Sequence, residues 1–195
     1  MVAEKEVSED ESLAIARRVL TTERLIMRQP RESDIPALVV LADNRHVAEM
    51  LARMPHPYGE PEARTFIAME QRRMVGAAYA LTLAGSGTLI GCAGLNATER
   101  GLELGYWIGE PFWKQGYATE AAHALVDLAF ESSGTNVLHA SCRVINPASR
   151  RVIHKCGFQY AGQGMMNSLV AGQVPIERYR LDRKTWASLR SWARS

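Results

Sequence analysis

The stretch EPFWKQGYATEAAHALVDLAF, Glu110 to Phe130, contains the residues whose types and spacing most directly indicate a binding site. Its first half carries Pro111 and Gly116 without an apolar period, as a loop does, whereas its second half has the pattern of an amphipathic helix. Small and aliphatic residues recur there every three or four positions, at Ala118, Ala121, Ala122, Leu125, Leu128 and Ala129. The sequence therefore predicts a helix that begins after Gly116 and packs closely against a sheet.

The start of this helix could bind an anion. The first N–H groups of a helix have no partner within it, and the helix dipole favours negative charge at this end. Gly116 would let the backbone approach a bulky ligand or adopt a conformation that other residues avoid. The competing interpretation is a helix start that binds only water or a capping group.

Two familiar phosphate-binding motifs are absent. A Walker loop requires Gly-x-x-x-x-Gly-Lys-Ser/Thr, which does not occur, and GSGTLI has Ile90 where a dinucleotide fingerprint requires its third glycine. An anion other than a nucleotide is therefore favoured, and a nucleotide-binding regulatory domain rests on the loop and helix start alone.

Composition limits the class of protein. The 195 residues are 47% hydrophobic and 23% charged, which fits one domain, or one domain with an appendage. The net charge of +2 provides no long-range attraction to nucleic acid or to an anionic membrane. Cys92, Cys142 and Cys156 are widely spaced and odd in number, which argues against a disulfide framework or a zinc site. Without a signal peptide or membrane span in the sequence, we expect a cytoplasmic protein that holds no metal.

The patterns along the chain predict a mixed α/β (α+β) domain over residues 21–195, preceded by an acidic, polar appendage over residues 1–20. A strand at Leu25–Arg28 and helices at about Asp34–Leu51 and Pro61–Met74 come first. AAYALTLA, TLIGCAGL and LELGYWIG then read as a three-stranded antiparallel meander. After the central helix follow a strand NVLHASCRV, a helix PASRRVIHK, strands from Gly157 and at PIERYRL, and a final helix KTWASLRSWA.

Two of these segments resemble a known signature. GYWIGEPFWKQGYATEAAHALVDLAF followed by VINPASRRVIHKCGF resembles the motif pair of the GNAT superfamily of acetyl-CoA-dependent N-acetyltransferases. TTERLIMRQPRESD and PIERYRLDRKTW are similar to the branch that includes the ribosomal-protein N-terminal acetyltransferases, so the resemblance spans residues 21 to about 190. It implies a GNAT-like fold, with a mostly antiparallel sheet splayed at a coenzyme cleft, and acetyl-CoA as cosubstrate.

The resemblance also implies which residues bind the coenzyme. The family pattern Arg/Gln-x-x-Gly-x-Gly/Ala is matched by Gly116 and Ala118, while Trp113 stands where Arg or Gln is usual. The pyrophosphate would then lie against backbone N–H groups, with the Lys114 ammonium near a phosphate. The residues of this loop are Lys114, Gln115, Gly116, Tyr117, Ala118 and Thr119. Backbone groups of Trp107, Ile108 and Gly109 and the amide of Asn146 would contact pantetheine, although Asn146 is also a standard helix cap.

Acetyl transfer needs a neutral amine, a donor to the tetrahedral oxyanion and a proton for the departing thiolate. The resemblance makes Glu103 the candidate base, the alternative being a structural partner of an arginine. Many GNAT enzymes have, where this chain has Ile153, a tyrosine that acts as the acid for the departing thiolate. Ser149 therefore becomes the candidate donor to the thiolate. Its alternative role is a hydroxyl bonded to its own helix. Tyr106 and Trp107 are interpreted as packing residues.

The expected activity is direct acetyl transfer in a ternary complex, from acetyl-CoA to a primary amine on a protein N-terminus or a small molecule. The alternative is an acetyl-CoA-binding module that has lost catalysis, which Ile153 and Trp113 favour. The expected partner is the amine acceptor, with neither nucleic acid nor membrane, and the chain is a monomer or homodimer. The acceptor itself stays open, because the predicted loops Arg45–Tyr58 and Gln163–Val174 carry no readable motif.

Overall fold

The computed structural model describes residues 18–193, which form an eight-stranded mixed sheet with helices on both faces. The strands are β1 (Leu20–Thr21), β2 (Leu25–Arg28), β3 (Ala77–Leu83), β4 (Leu89–Thr98), β5 (Gly101–Ile108), β6 (Val137–Arg143), β7 (Gln159–Ser168) and β8 (Gly172–Asp182). The α-helices are α1 (Ile35–Ala42), α2 (Arg45–Ala48), α3 (Glu60–Arg72), α4 (Tyr117–Ser132), α5 (Pro147–Lys155) and α6 (Arg183–Ala193). Short 3₁₀ turns lie at Glu32–Asp34 and Glu110–Phe112.

The strand order is β1-β2-β3-β4-β5-β6-β8-β7, and every neighbouring pair is antiparallel except β5 and β6. These two parallel strands are paired at only two positions, Glu103 with His139 and Leu104 with Ala140. Beyond Leu104 the strands diverge, whereas β5 stays paired with β4 up to Ile108. The predicted mostly antiparallel sheet, splayed at its centre, is confirmed.

The alternation of side chains along β5 divides the core between the two faces of the sheet. Leu102, Leu104 and Ile108 are buried in the cluster that α4 and α5 cover, whereas Trp107 packs against the cluster that α1 and α3 cover. β5 therefore has apolar side chains on both faces at the point where the sheet opens.

Helix α4 begins at Tyr117, directly after Gly116, as the sequence predicts. Its alanines Ala121, Ala122 and Ala129 are completely buried, and the absence of larger side chains lets the helix lie close to the sheet. This close packing fixes the position of the first turn of the helix.

Two predicted elements differ in the structure. The single helix expected over about Asp34–Leu51 is two helices, because the chain leaves helical geometry at Asp43 and the Asn44 side chain accepts the Val47 N–H to start α2. The segment Gln163–Val174, expected as a loop, is mostly the β7–β8 hairpin. At its tip, the Ser168 hydroxyl donates to the Leu51 carbonyl at 2.9 Å, so the hairpin is held against the chain that follows α2.

Asp127 connects two helices: it accepts hydrogen bonds from the Trp186 indole and the Arg190 guanidinium, both at 2.8 Å, so it anchors α6 to α4. Cys156 is buried. Of the predicted appendage, residues 1–17 lie outside the described residues, and Leu20 pairs with Met27 in the first strand of the sheet. In the part of the chain described, no helix is long and apolar enough to span a membrane.

Candidate active site

The divergence of β5 and β6 forms a cleft of about 750 Å³. One wall is β5 with the loop that leads into α4, the opposite wall is the end of β6 with α5, and α2 lies at one side. Most of the predicted coenzyme residues line it: Trp107, Ile108, Lys114, Gly116, Tyr117, Ala118, Thr119 and Asn146, together with Ser149. Gly109, Gln115 and Glu103 are not among the lining residues. The cleft therefore brings the two separate sequence motifs together.

The first turn of α4 is open toward this cleft. Gly116 occupies the cap position with a φ of 86°, in the left-handed region that glycine adopts at little cost, and no side chain among the described residues caps the helix. The first helical hydrogen bond runs from the Glu120 N–H to the Gly116 carbonyl at 3.1 Å. The preceding N–H groups, including those of Ala118 and Thr119, thus remain available to an anion at the positive end of a 16-residue helix.

An arginine that is distant in the sequence holds this loop in place. The Arg24 guanidinium donates to the Gln115 carbonyl at 2.9 Å and to the Glu120 carboxylate at 2.7 Å, and it lies over the Tyr117 ring at 4.7 Å. Burial raises the pKa of Glu120, but the hydrogen bonds donated by Thr22 and Arg24 lower it by a larger amount. The pKa of Glu120 therefore lies below its ordinary value. The loop is braced before any ligand binds. Sequence reasoning missed Arg24, which lies outside both motifs.

The direction of the backbone groups on β5 corrects part of the predicted pantetheine contacts. The Gly109 N–H donates to the Ile90 carbonyl at 2.8 Å, so the prediction that this amide is free is wrong. Because amides in an antiparallel ladder alternate in direction, the amide of Trp107 also faces β4, whereas those of Tyr106 and Ile108 face the cleft. Trp113, which replaces the usual Arg or Gln, donates its indole N–H to the Ile108 carbonyl at 2.6 Å.

Two hydroxyl groups meet inside the cleft. The Tyr106 phenol oxygen lies 2.8 Å from the Ser149 Oγ and 3.2 Å from the Ser149 carbonyl oxygen. Burial raises the pKa of Tyr106, so the phenol is neutral and can donate a hydrogen bond. Ser149 follows the cap residue Asn146, whose amide oxygen accepts the Ser149 N–H at 3.0 Å. Tyr106, interpreted from the sequence as packing, therefore lies at the candidate chemical centre.

Cys142 lines the same cleft as Ser149. Burial raises the pKa of Cys142 to about 11, against the smaller opposing effect of Ser149, so the thiol stays protonated at neutral pH. Ile153, which stands where the resemblance implies a tyrosine, is buried in the core and offers no hydroxyl.

Glu103 is placed beside the cleft rather than on its surface. Its carboxylate accepts hydrogen bonds from the Ser141 hydroxyl and from the Arg100 guanidinium, the latter at 3.1 Å, and its side chain is 19% exposed. Ser141 does line the cleft. A proton could therefore reach Glu103 through the Ser141 hydroxyl, while the arginine contact also gives Glu103 the structural role considered from the sequence.

Two cations in the cleft were not anticipated. Arg151 and Lys155 lie four residues apart on α5, where side chains share one face of the helix, and both line the cleft opposite Lys114. The positive helix end and these side chains suit a ligand with several phosphate charges. The described residues contain no cluster of three or more metal-ligating side chains.

Residues 24–159 match the family model described as the acetyltransferase (GNAT) domain. The chain belongs to this family of acetyltransferases.

Two of the particular proteins that it resembles come from Bacillus species. The uncharacterized N-acetyltransferase YoaA of Bacillus subtilis is 29% identical over 150 residues, covering 74% of this chain and 84% of that protein. A GNAT-family acetyltransferase from Bacillus anthracis superposes with a TM-score of 0.74 at 22% identity, covering 86% of this chain and 99% of that one.

A structure of RimL, described as a ribosomal L7/L12 alpha-N-protein acetyltransferase in complex with coenzyme A, superposes with a TM-score of 0.70. It is 23% identical and covers 84% of this chain and 97% of that one. In that structure the coenzyme is joined to a cysteine of the protein by a disulfide.

Proposed function

We propose that the protein transfers an acetyl group from acetyl-CoA to the primary amine of a protein N-terminus or small molecule. The observation that carries this proposal is that the open N-terminus of α4 and the splayed strands border one cleft in a GNAT domain. An anion-binding end and unpaired strand amides, side by side, suit a ligand with a pyrophosphate followed by an amide-containing arm.

The residues that line the cleft fit coenzyme A. The pyrophosphate would bind the N–H groups of the Lys114–Thr119 loop, with Lys114, Arg151 and Lys155 balancing its charge. The pantetheine arm, which follows the pyrophosphate, would pair with the cleft-facing backbone of Ile108 on β5. The thioester end would then reach Ser149.

The chemistry would use groups from both walls of the cleft. When bound, acetyl-CoA supplies the activated acetyl group. The Tyr106 N–H would donate to the oxyanion, and the amine proton would pass through Ser141, whose own proton would move to Glu103. Ser149 would donate a hydrogen bond that stabilises the departing thiolate without losing its proton, and a hydrogen bond donated by Tyr106 to the Ser149 oxygen would leave the Ser149 proton directed toward the sulfur.

We propose direct transfer in a ternary complex rather than an acetyl-enzyme. Cys142 and Cys156 have pKa values raised by burial, so neither provides a thiolate nucleophile at neutral pH. Cys142→Ala should therefore retain acetyl transfer, and initial-rate patterns should intersect rather than run parallel. Loss of all activity in this variant, with coenzyme binding intact, would favour an acetyl-enzyme.

Cys142 also offers a way to locate the thioester end. If the coenzyme sulfur lies beside Ser149, oxidised coenzyme A disulfide should exchange with Cys142 at alkaline pH, where part of the thiol is ionised, releasing coenzyme A and leaving a mixed disulfide. The mixed disulfide in the RimL structure supports this test. Mass spectrometry should show one added coenzyme on the intact chain and none on Cys142→Ala.

The decisive experiment combines binding with turnover. Calorimetry should show acetyl-CoA binding and no ATP binding, and a panel of N-terminal peptides, lysine peptides and small amines should include one that releases coenzyme A. Binding without release from any amine would support the non-catalytic alternative, and binding of ATP alone would overturn the proposal. The cytoplasmic location and the state of monomer or homodimer remain predictions from the sequence.

A further inference from the structure

The half of the sheet built from β5, β6, β8 and β7 has one face without a covering helix among residues 18–193. Helices α4, α5 and α6 pack on its opposite face, where Leu104, Leu138 and Leu181 are buried. Helices α1 and α3 pack on the near face only as far as β3 and β4, with Trp107 at their margin. Apart from the segment of residues 49–51, which contacts Arg143 and the tip of the β7–β8 hairpin, no described element covers the rest of the near face.

Strand register determines which side chains project from this face, because paired residues point to the same side. Glu103, His139 and Arg180 form one row across the strands, and Ser141 and Arg178 form the next. Arg100 reaches the first row through its ion pair with Glu103. We call the surface of Arg100, His139, Arg178 and Arg180 the arginine face.

The arginine face has an excess of positive charge. Arg178 and Arg180 form no ion pair within the described residues, and Arg180 is exposed. The Arg178 guanidinium lies over Gly164: a β-carbon added to this glycine would be 2.5 Å from a nitrogen of the guanidinium. The Nε of Arg178 is buried and has no hydrogen-bond partner among the described residues. Of the nearby carboxylates, Glu103 is shared with Arg100 and Ser141.

The remaining charged groups at the margins do not reverse this balance. Asp182 is engaged in capping α6 through Thr185, while Arg143 adds a further cation whose guanidinium donates to the Glu49 carbonyl. Burial and the nearby Arg100 and Arg180 lower the pKa of His139, which is consistent with a positive local potential.

This face adjoins the mouth of the cleft. Ser141 belongs to the second row and also lines the cleft, whereas the open end of α4 lies on the opposite side of the sheet. An acceptor that approaches opposite the coenzyme would therefore lie across the arginine face with its amine near Ser141.

We infer that the acceptor is an acidic polypeptide segment, whose carboxylates behind the reacting amine pair with Arg178 and Arg180. This inference rests on the proposed function, and it selects one class among the possible amines. Charge complementarity of this kind sets specificity and association rate, and it weakens as salt screens exposed charges.

The test uses the full-length protein with N-terminal peptides that share their first residue and carry Glu, Gln or Lys at the following positions. We expect kcat/KM for the Glu peptides to exceed that for the Gln peptides by about two- to fivefold per carboxylate, the range of single exposed ion pairs. The preference should shrink at high salt. Fluorescence anisotropy of labelled peptides on the coenzyme A complex gives the same comparison without turnover.

Arg180→Gln and Arg180→Glu should reduce the preference and reverse it, respectively. Lys184→Gln is the matched control, because Lys184 is exposed on α6, which packs on the opposite face. Arg178→Gln should act like Arg180→Gln, and its melting point shows whether packing on Gly164 has been lost. The Arg180 variants test the inference even if Arg178→Gln lowers the stability of the fold.

Equal binding of Glu and Gln peptides would overturn the inference, even if both are acetylated and the proposed function stands. Tighter binding of an RNA oligonucleotide than of any acidic peptide would also overturn it, as would loss of a dimer in Arg180→Glu, which would assign the face to a second copy. If no peptide is acetylated but anisotropy still shows tighter binding of the Glu peptides, the inference that the arginine face binds acidic segments stands. Only the proposed function would then be contradicted.

Discussion

The phenol oxygen of Tyr106 lies 2.8 Å from the hydroxyl oxygen of Ser149, so β5 and α5 are bridged across the open part of the sheet. One residue comes from each of the two sequence motifs, so the pair connects the two walls of the cleft at the proposed thioester position.

Tyr106→Phe should lower kcat about tenfold while leaving coenzyme affinity nearly unchanged, because the lost hydrogen bond orients a donor that acts mainly in the transition state. Ser149→Ala should have at least as large an effect. The double variant should be no slower than Ser149→Ala alone, since the phenol acts through the serine. Tyr160→Phe, at a tyrosine 56% exposed on β7, is the control. Additive losses in the double variant would separate the two roles.

Gly116→Ala should weaken coenzyme A binding by at least about tenfold, because a side chain at a φ of 86° is strained and the loop would move its N–H groups. Gly87→Ala is a close control, since Gly87 has a φ of 70° in the turn between β3 and β4 with nothing within 4 Å of an added β-carbon. Both variants should lose about 1 kcal/mol of stability. Calorimetry distinguishes them, and equal coenzyme affinity in the two would remove Gly116 from the site.

Glu103→Gln should lower kcat/KM at neutral pH and recover toward wild type as pH approaches the pKa of the amine, which then supplies its own neutral form. Recovery should come earlier for an α-amine than for a lysine. Ser141→Ala should show the same pH dependence if the proton passes through this hydroxyl. A deficit that is constant with pH and accompanied by a lower melting point would instead assign Glu103 to the Arg100 ion pair.

Asp34→Asn should reduce the free energy of unfolding at pH 7 by about 2 to 4 kcal/mol, because it leaves the largely buried Arg28 guanidinium without its carboxylate. Burial raises the pKa of Asp34, but hydrogen bonds from Arg28 and Arg31 lower it more, so it lies below the ordinary 3.8.

A carboxyl group whose pKa is lowered on folding stabilises the fold at pH values above its unfolded-state pKa. This stabilisation is lost as the pH falls through the pKa of the folded state. The difference between wild type and Asp34→Asn in urea should therefore shrink below about pH 4. Glu60→Gln, at an exposed pair with Arg64, should cost less than about 1 kcal/mol at either pH. An unchanged Asp34→Asn difference in acid would contradict the assignment.

The sequence was most informative where local pattern and tertiary role agree. Gly116 and the alanine stripe of α4 determine the helix start and its packing face through steric limits, so both could be predicted. The helix at Pro147–Lys155 was predicted to the residue, because Asn-Pro provides both a cap and a first helical position.

The remaining features depend on contacts between distant segments. Arg24 binds the carbonyl of Gln115, 91 positions along the chain, and no local pattern specifies this bond. The partner of Tyr106 lies 43 positions away, so a tyrosine that alternates with leucines reads as a packing residue. The direction of the Gly109 amide likewise follows from its pairing with Ile90, which is a property of the sheet.

The divergence of β5 and β6 leaves two strand borders facing each other in the middle of the protein, one at Gly105–Ile108 and one at Ser141–Arg143. Unpaired strand backbone is the kind of surface through which chains stick to one another. Here α4 and α5 restrict access from one side, but a slender molecule with amide groups can enter and complete the ladder. The protein without coenzyme A should therefore aggregate more readily. The fraction that remains soluble after heating or long storage should increase when coenzyme A is present.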